Sequence, residues 1–320
     1  MLSADRKEGL ELYLEKELDL RGPCRIRSEE RMARGQSRAM YRLEIESEGA
    51  GRPERRSVVL RVEQWGLLGT ESSQEVRVMR ALHLAGYPVA EVLAYEPSSE
   101  LLGQPFFVME FVEGSCAFVR EGLDEYVQTL HRLHGMDPEE TGLGFLGHPE
   151  GRRGAALSQV ERWYEVHRDA QVGEPSPLLE EAAQWLRNNA PESDRITIVH
   201  GDPGPGNYMQ RDGRLACVVD WEFTHRGDPE EDWAYLISMR GMGVMDEDAW
   251  ATYLRELVGV ELDRDRLHYW KALNFFKGVC IDATALKIYL DRDNLAPNML
   301  AIGTVVYLNA LKRLAEAVAA

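Results

Sequence analysis

The first third of the chain alternates apolar and polar residues with the two-residue period of β-strands. Residues 25–47 contain two such runs around a glycine-containing turn, and residues 55–65 form a third. Residues 71–87 change to helical spacing, with a serine placed to cap the helix. A further β-like run, QPFFVMEFVEG, ends at Gly114. This order predicts a strand-rich N-terminal part that contains one helix.

Apolar residues at helical spacing dominate the rest of the chain. Before residue 190 they occur in LDEYVQTLHRLHG, GAALSQVERWYEVHRDA and PLLEEAAQWLRNN. One short β segment interrupts the helices, where the apolar runs of ITIVHGD and RLACVVDWE lie on either side of a turn at Asp212–Gly213. We therefore predict an α+β protein with two domains, residues 1–114 and residues 115–320.

Composition and charge indicate a globular protein that binds neither nucleic acid nor a membrane. Hydrophobic residues make up 44% of the 320 residues, and the formal net charge of −17 repels nucleic-acid phosphates and anionic lipids. The N-terminal twenty residues are charged throughout, which is typical of a surface helix rather than a signal peptide. The apolar stretch at 299–308 is too short to span a membrane. We expect a cytoplasmic protein whose four scattered cysteines are reduced.

The glycine-rich stretch HGDPGPGNYM, at residues 200–209, invites comparison with phosphate-binding loops. A Walker A loop needs Lys and then Ser or Thr after its last glycine, but Asn207 and Tyr208 follow Gly206. The dinucleotide fingerprint also fails, because Met209 stands where its third glycine belongs. The stretch is therefore not predicted to cradle phosphate through its backbone alone.

The side chains around this loop match the chemistry of a kinase. Asp202 is followed five residues later by Asn207, and an apolar strand then leads to Asp220. In kinases an Asp accepts the hydroxyl proton, while an Asn and a later Asp hold Mg²⁺ against the nucleotide. Carboxylate and amide oxygens suit this hard, octahedral ion.

Three segments together resemble the aminoglycoside phosphotransferase family, also called the choline-kinase-like family. They are FFVMEFVEG, VHGDPGPGNYM and VVDWEFTHRGDPEEDWAYL, which occur in the family's order, and the resemblance extends over nearly the whole chain. The resemblance implies a protein-kinase-like bilobal fold, with a small β-rich N-terminal lobe and a larger helical C-terminal lobe. It also implies transfer of the γ-phosphoryl group of ATP or GTP to a hydroxyl of a small molecule, such as an aminoglycoside-like antibiotic or another hydroxylated metabolite.

The resemblance assigns roles to individual residues. Asp202 matches the catalytic base, and Asn207 and Asp220 match the Mg²⁺ ligands. Because no lysine lies between Lys16 and Lys271, the phosphate-binding strand lysine is replaced by Arg61, with Glu75 as its partner. Other nucleotide contacts are assigned to Gly35 and Ser37 in the phosphate loop and to Glu110, Phe111 and Val112 in the hinge. Supporting positions beside the site are His200, Glu222 and Asp228, and Asp232, like Asp228, matches an acidic residue that buttresses the loop.

Other classes of function fit the residues less well. A nucleotide-binding pseudokinase, the main alternative, is expected to lack Asp202, Asn207 or Asp220, and all three are present. A protein kinase needs a long activation segment, whereas DWE runs directly into GDPEED. An H-x-x-H pair at His131 and His134 lacks the further ligands of a zinc site. The sequence names neither the phosphoryl acceptor, nor the preferred nucleotide, nor the oligomeric state.

Overall fold

The computed structural model describes residues 4–32, 38–48, 53–63 and 72–319, which divide into two compact units. The first unit contains the described residues up to Gly114 together with Ala216–Glu222. The second contains Ser115–Leu215 and the described residues from Phe223 onward.

A five-stranded antiparallel sheet forms the first unit. Its strands are β1 (Arg25–Arg31), β2 (Arg38–Glu48), β3 (Pro53–Glu63), β4 (Val92–Glu96) and β5 (Phe106–Glu110), in the spatial order β1-β2-β3-β5-β4. Two helices accompany it, α1 (Ala4–Glu17) and α2 (Ser72–Leu84). The predicted strands and the helix α2 are confirmed, while β4 was not predicted and β5 ends earlier than the sequence suggested.

The helix α1 contributes to the core of the first unit. Leu10 and Leu14, one helical turn apart, are fully buried in the same apolar cluster as Leu60 and Phe106 of the sheet. Glu11, between them, accepts a hydrogen bond from the backbone N–H of Ile26 at 2.7 Å. The predicted N-terminal helix is therefore correct, but one of its faces is buried rather than exposed.

The second unit is mainly helical. Its helices are α3 (Leu123–Gly135), α4 (Gly154–Ala170), α5 (Pro177–Asn189), α6 (Pro229–Tyr235), α7 (Glu247–Val258), α8 (Arg264–Leu290), α9 (Pro297–Ala301) and α10 (Tyr307–Ala319). Two π-helical segments, Leu236–Arg240 and Ile302–Val306, continue α6 and α9. The long helix α8 packs against α4, α5, α6 and α10. The three helices predicted before residue 190 are confirmed with their predicted bounds.

The short strands around the glycine-rich loop pair differently from the prediction. Strand β6 (Thr197–Val199) pairs with β9 (His225–Gly227), whereas β7 (Tyr208–Arg211) and β8 (Arg214–Val218) form the hairpin. The predicted turn at Asp212–Gly213 is correct, and both residues have positive φ, 54° and 74°. The predicted partner of β8 is wrong: the buried strand Thr197–Val199 pairs with β9 across the loop, and the hairpin is formed by β7 and β8.

The remaining expectations concern thiols and the membrane. All four cysteines are free thiols, and Cys24, Cys217 and Cys280 are buried. No helix within the described part of the chain has the length and apolarity needed to cross a membrane.

We expect Leu14→Ala to destabilise the protein by about 2–5 kcal/mol, because it leaves a cavity under α1. Leu12, on the same helix and 63% exposed, provides the control, since Leu12→Ala should change stability by no more than about 0.5 kcal/mol. Urea denaturation of both variants measures the difference. Equal effects of the two substitutions would contradict the buried face of α1.

Candidate active site

A buried carboxylate anchors the loop between β6 and β7. The two oxygens of Asp232, on α6, accept hydrogen bonds from the backbone N–H groups of His200 and Gly201, each at 2.8 Å. His134 Nε2 lies 2.9 Å from the same carboxylate. Burial raises the pKa of Asp232, but the contacts with His134 and His200 outweigh it and hold this pKa below its ordinary value of 3.8. Asp232 is therefore a buried anion that fixes the start of the loop.

The carboxylate of Asp202 accepts hydrogen bonds from two side chains. Asn207 Nδ2 donates to Asp202 Oδ2 at 2.6 Å and to the Asp202 carbonyl at 2.8 Å. Arg240 donates through Nε to Oδ1 at 2.9 Å and through Nη2 to Oδ2, so the guanidinium forms a two-pronged fork. Because Nδ2 of Asn207 is engaged with Asp202, its Oδ1 is the atom able to coordinate a ligand.

Two glycines shape the turn of this loop. Gly201 has a φ of 87° and Gly204 a φ of 132°, values that side chains disfavour. A Cβ on Gly201 would lie 2.7 Å from Phe223, and one on Gly204 would lie 2.4 Å from Arg240 Cβ. The glycines therefore permit both the backbone turn and the close approach of Phe223 and Arg240.

In the first unit, Arg61 lies beside two acidic residues. Its Nη1 is 2.8 Å from Glu75 Oε1, and its Nη2 is 3.8 Å from Asp220 Oδ1. The side chains of Arg61 and Glu75 are 9% and 1% exposed, whereas that of Asp220 is 34% exposed. Leu60 points into the core, so the alternation of β3 directs Arg61 to the opposite face of the sheet. The structure thus brings together three residues that the sequence assigned to nucleotide and metal.

The backbone at Asp220 is in an unusual conformation. Its φ is 72°, in the left-handed region that non-glycine residues seldom occupy. Such a conformation costs free energy and persists only when surrounding contacts impose it, which happens most often at functional sites. Here it accompanies a carboxylate that lies near Arg61 and remains partly exposed.

The other residues assigned to the nucleotide are placed as follows. Glu110 is the last residue of β5, and Phe111 and Val112 continue the chain beyond the strand. All three side chains are partly exposed. Gly35 and Ser37, assigned to the phosphate loop, lie outside the described residues.

Two of the assigned supporting residues lie next to the metal and base candidates in the chain. His200 is fully buried, and its Nδ1 accepts a hydrogen bond from the backbone N–H of Asp202 at 3.2 Å. His200 therefore holds the residue that the sequence assigns as base. Glu222 lies in the 3₁₀-helical turn Trp221–Phe223, directly after the hairpin, and is partly exposed.

Asp228 makes different contacts from Asp232, which lies one helical turn further along. Asp228 caps α6 by accepting a hydrogen bond from the backbone N–H of Glu230 at 2.9 Å, and it also pairs with Arg266. These contacts orient the helix, whereas the direct anchor of the loop is Asp232.

Sequence reasoning missed two cations next to the loop. Arg240 lies 38 residues from Asp202, and nothing in the local pattern connects them. Lys277, on α8, is fully buried and donates to the Gly201 carbonyl. Burial lowers the pKa of Lys277. Three aromatic rings surround its ammonium group at 4.8–5.2 Å, those of Trp163, Phe223 and Tyr235. The only sequence signal for Lys277 was its position directly after the aromatic segment HYWKALNFF.

The H-x-x-H pair lies beside α6. His134 faces the carboxylate of Asp232, and burial lowers the pKa of His131. Throughout the described ranges, no group of three or more His, Cys, Asp or Glu side chains is arranged to hold a metal ion.

Known structures share this fold. A Ralstonia eutropha protein assigned as an aminoglycoside phosphotransferase is 23% identical, with a TM-score of 0.73 and 98% of each chain covered. A thermostable mutant of the aminoglycoside phosphotransferase APH(4)-Ia, solved as a ternary complex with ADP and hygromycin B, is 18% identical, with a TM-score of 0.61 over 97% of this chain and 98% of that one. The predicted α+β, protein-kinase-like fold is therefore confirmed.

Sequence comparison identifies the family. The model of the phosphotransferase enzyme family, APH, matches residues 29–270, and the chain belongs to this family, as the motifs predicted. Among curated proteins, mouse acyl-CoA dehydrogenase family member 10 is 32% identical over 197 residues, which is 56% of this chain and 18% of that protein. The chain matches between 18% and 33% of the length of its curated relatives.

We expect Asp232→Asn to lower the free energy of unfolding at pH 7 by about 2–3 kcal/mol, because the charged acceptor of two backbone N–H groups is lost. The folded-state pKa of Asp232 lies below 3.8, so its stabilisation is complete above that pH and is lost as the pH falls through the folded value. Thermal and urea unfolding at pH 7, 5 and 3.5 measure this. The difference should shrink at the lowest pH.

The matched control is Asp248→Asn, whose side chain is 85% exposed and pairs with an exposed arginine. It should change stability little at any of these pH values. A difference between wild type and Asp232→Asn that stayed constant with pH would show that the carboxylate is not a charged anchor.

Proposed function

We propose that this chain transfers the γ-phosphoryl group of ATP or GTP to a hydroxyl group of a small molecule. The observation that carries the proposal is the buried contact between Asp202 and Asn207 on a loop held by Asp232. In kinases, phosphoryl transfer uses a carboxylate for the hydroxyl proton and, on the same loop, an amide oxygen for the metal. The related phosphotransferase that was solved with ADP and hygromycin B supports both kinds of ligand.

In the proposed reaction, Asp202 accepts the proton of the acceptor hydroxyl as its oxygen attacks the γ-phosphorus. The new O–P bond forms while the bond from the γ-phosphorus to the bridging oxygen breaks, and the nucleoside diphosphate leaves with that electron pair. Arg61, held by Glu75 at 2.8 Å, attracts the α- and β-phosphates. Arg61 Nε is buried without a hydrogen-bond partner among the described residues. A bound phosphate oxygen would supply this partner. The chain contributes positioning and charge stabilisation.

A magnesium ion suits the donor atoms of Asn207 and Asp220. Asn207 presents its Oδ1 because its Nδ2 is bonded to Asp202, and the Asp220 carboxylate is partly exposed. Both are oxygen ligands of the type that Mg²⁺ prefers, and this ion usually completes its shell with water and phosphate oxygens. When bound, Mg²⁺ neutralises negative charge on the nucleotide phosphates. We assign Asn207 and Asp220 as its protein ligands.

The remaining assignments complete the proposal. Gly35 and Ser37 contact the phosphates, and the backbone from Glu110 to Val112 binds the purine. His200, Glu222 and Asp228 support the residues that touch the ligands. In this proposal residues 1–114 form the nucleotide-binding domain, and residues 115–320 form the domain for catalysis and acceptor binding.

The acceptor is a hydroxylated small molecule, such as an aminoglycoside-like antibiotic or another metabolite, and the protein acts in the cytoplasm on neither nucleic acid nor membranes. A coupled assay of ADP and GDP release, run over a panel of hydroxyl compounds with ATP and GTP, identifies the acceptor and the nucleotide. Phosphorylated product from one compound class is the expected result. Tight, Mg²⁺-dependent nucleotide binding without product over the whole panel would favour the pseudokinase instead.

We expect Asp202→Asn to reduce kcat by about 100-fold or more, because the amide cannot accept the hydroxyl proton. The affinity for the nucleoside diphosphate should remain close to that of wild type. Steady-state assays and nucleotide titrations measure the two quantities. The control is Asp194→Asn, whose side chain is 88% exposed, and its activity should be unchanged. Near-normal turnover by Asp202→Asn would overturn the assignment of the base.

Asp220→Ala should weaken nucleotide binding measured in Mg²⁺ by about tenfold or more, because a charged ligand of the metal is removed. Binding measured in EDTA should change much less, since no metal then links the nucleotide to this side chain. The exposed Asp5→Ala, in the same unit, is the control. Equal affinities of Asp220→Ala and wild type in Mg²⁺ would contradict the metal assignment.

A further inference from the structure

Arg240 occupies the carboxylate that the proposed reaction requires. Its guanidinium forms a fork with Asp202, through Nε to Oδ1 at 2.9 Å and through Nη2 to Oδ2. Arg240 is the last residue of the π-helical segment Leu236–Arg240. This segment directly continues α6, the helix that carries Asp232. The loop anchor and this cation therefore belong to one continuous stretch of helix.

Arg240 and Asn207 occupy most of the acceptor positions on the carboxylate of Asp202. It receives two N–H groups from Arg240 and one from Asn207, and the buried Tyr235 lies beside it. Two carboxylate oxygens offer about four acceptor positions. Because the guanidinium of Arg240 bonds to both oxygens, an acceptor hydroxyl that binds to Asp202 competes with it.

Arg240 is the donor best placed to leave. Its side chain is 36% exposed, whereas Asn207 and Tyr235 are 5% and 8% exposed. Asn207 is also bonded to the backbone carbonyl of Asp202, and the Tyr235 ring packs around Lys277. A guanidinium on a flexible side chain can turn by a few bonds without disturbing the core.

The proposed reaction brings a strong anion to the same place. A hydroxyl bonded to Asp202 lies about 3 Å from its carboxylate, and the γ-phosphorus must approach that hydroxyl to about 3–3.5 Å. The guanidinium of Arg240 contacts the same carboxylate, so it lies within reach of the γ-phosphoryl oxygens. The loop between β6 and β7, from His200 to Asn207, contains no Lys or Arg of its own that could neutralise the transferred group.

Two glycines of the loop leave space for the side chain of Arg240. A Cβ on Gly204 would lie 2.4 Å from Arg240 Cβ, and one on Gly206 would lie 3.2 Å from Arg240 Nη1. The buried Lys277 contacts the carbonyl of Gly201 and is enclosed by aromatic rings, so it cannot take the place of Arg240.

We infer that Arg240 is a further catalytic residue, which holds Asp202 in the free protein and moves its guanidinium to the γ-phosphoryl group of the bound nucleotide. This inference rests on the proposed phosphotransferase function. The move releases the carboxylate, which then accepts the hydroxyl proton, while the cation stabilises the negative charge on the phosphoryl oxygens during transfer. A nucleoside diphosphate lacks the γ-phosphoryl group and leaves Arg240 on Asp202.

The test compares two probes in Mg²⁺, a nucleoside diphosphate and its non-hydrolysable β,γ-imido triphosphate analogue, with adenine and with guanine. Isothermal titration of Arg240→Met should show about tenfold or more weaker binding of the triphosphate analogue. Binding of the diphosphate should stay within about twofold of wild type, a change of less than 0.5 kcal/mol. Arg240→Lys, which keeps the charge but not the fork, should weaken binding of the triphosphate analogue less than Arg240→Met does.

Two further variants separate this role from a merely structural one. Arg187→Met removes a similar two-pronged arginine–carboxylate contact, which joins α5 to Glu161 of α4, and should affect neither probe. The effect of Arg240→Met on the triphosphate analogue should persist in an Asp202→Asn background, where Arg240 has no carboxylate left to position. Thermal unfolding checks that each variant is folded, and Arg240→Lys provides the same comparison if Arg240→Met is not.

The outcomes are distinct. An equal effect on both probes, no effect on either, or an effect that disappears in the Asp202→Asn background would overturn the role of Arg240 and leave the proposed function standing. Failure of the wild-type protein to bind any of the nucleotides would overturn the proposed function, and the role of Arg240 with it.

Discussion

The buried carboxylate of Asp232 is the interaction on which the candidate site depends. An anion removed from water is costly unless hydrogen bonds replace the lost hydration. Here two backbone N–H groups of the loop and His134 supply them, so the loop, α3 and α6 must be assembled together for the charge to be tolerated. This requirement ties the position of Asp202 to the folding of the second unit rather than to the loop alone.

A second constraint explains the choice of cations. Arg61 is 8% exposed and lies against Glu75, and Arg240 forms a fork with Asp202, so both cations stand among buried or half-buried groups. Arginine keeps its charge in such surroundings, whereas burial lowers the pKa of Lys277. The long stretch without lysine is therefore compatible with phosphate chemistry, because arginine supplies the charge where a lysine would tend to lose its proton.

Much of the fold could be predicted because it follows from local periodicity. The helices before residue 190 and four strands of the sheet were correct, as was the turn at Asp212–Gly213, where positive φ suits Asp and Gly. The error was in strand pairing: the buried strand β6 pairs with β9 across the loop and not with β8. Strand β4 was also missed.

By itself, the sequence determined the candidate residues and their family, since Asp202, Asn207 and Asp220 stand in a recognisable order and apolar runs precede Asp202 and Asp220. It did not contain the contacts that make Asp202 part of a site. Arg240 and His134 lie far from the loop in the chain, and their side chains meet Asp202 and Asp232 only when helices pack. Tertiary structure decided these contacts because hydrogen bonds and ion pairs depend on distances of a few ångströms, which no spacing along the sequence encodes.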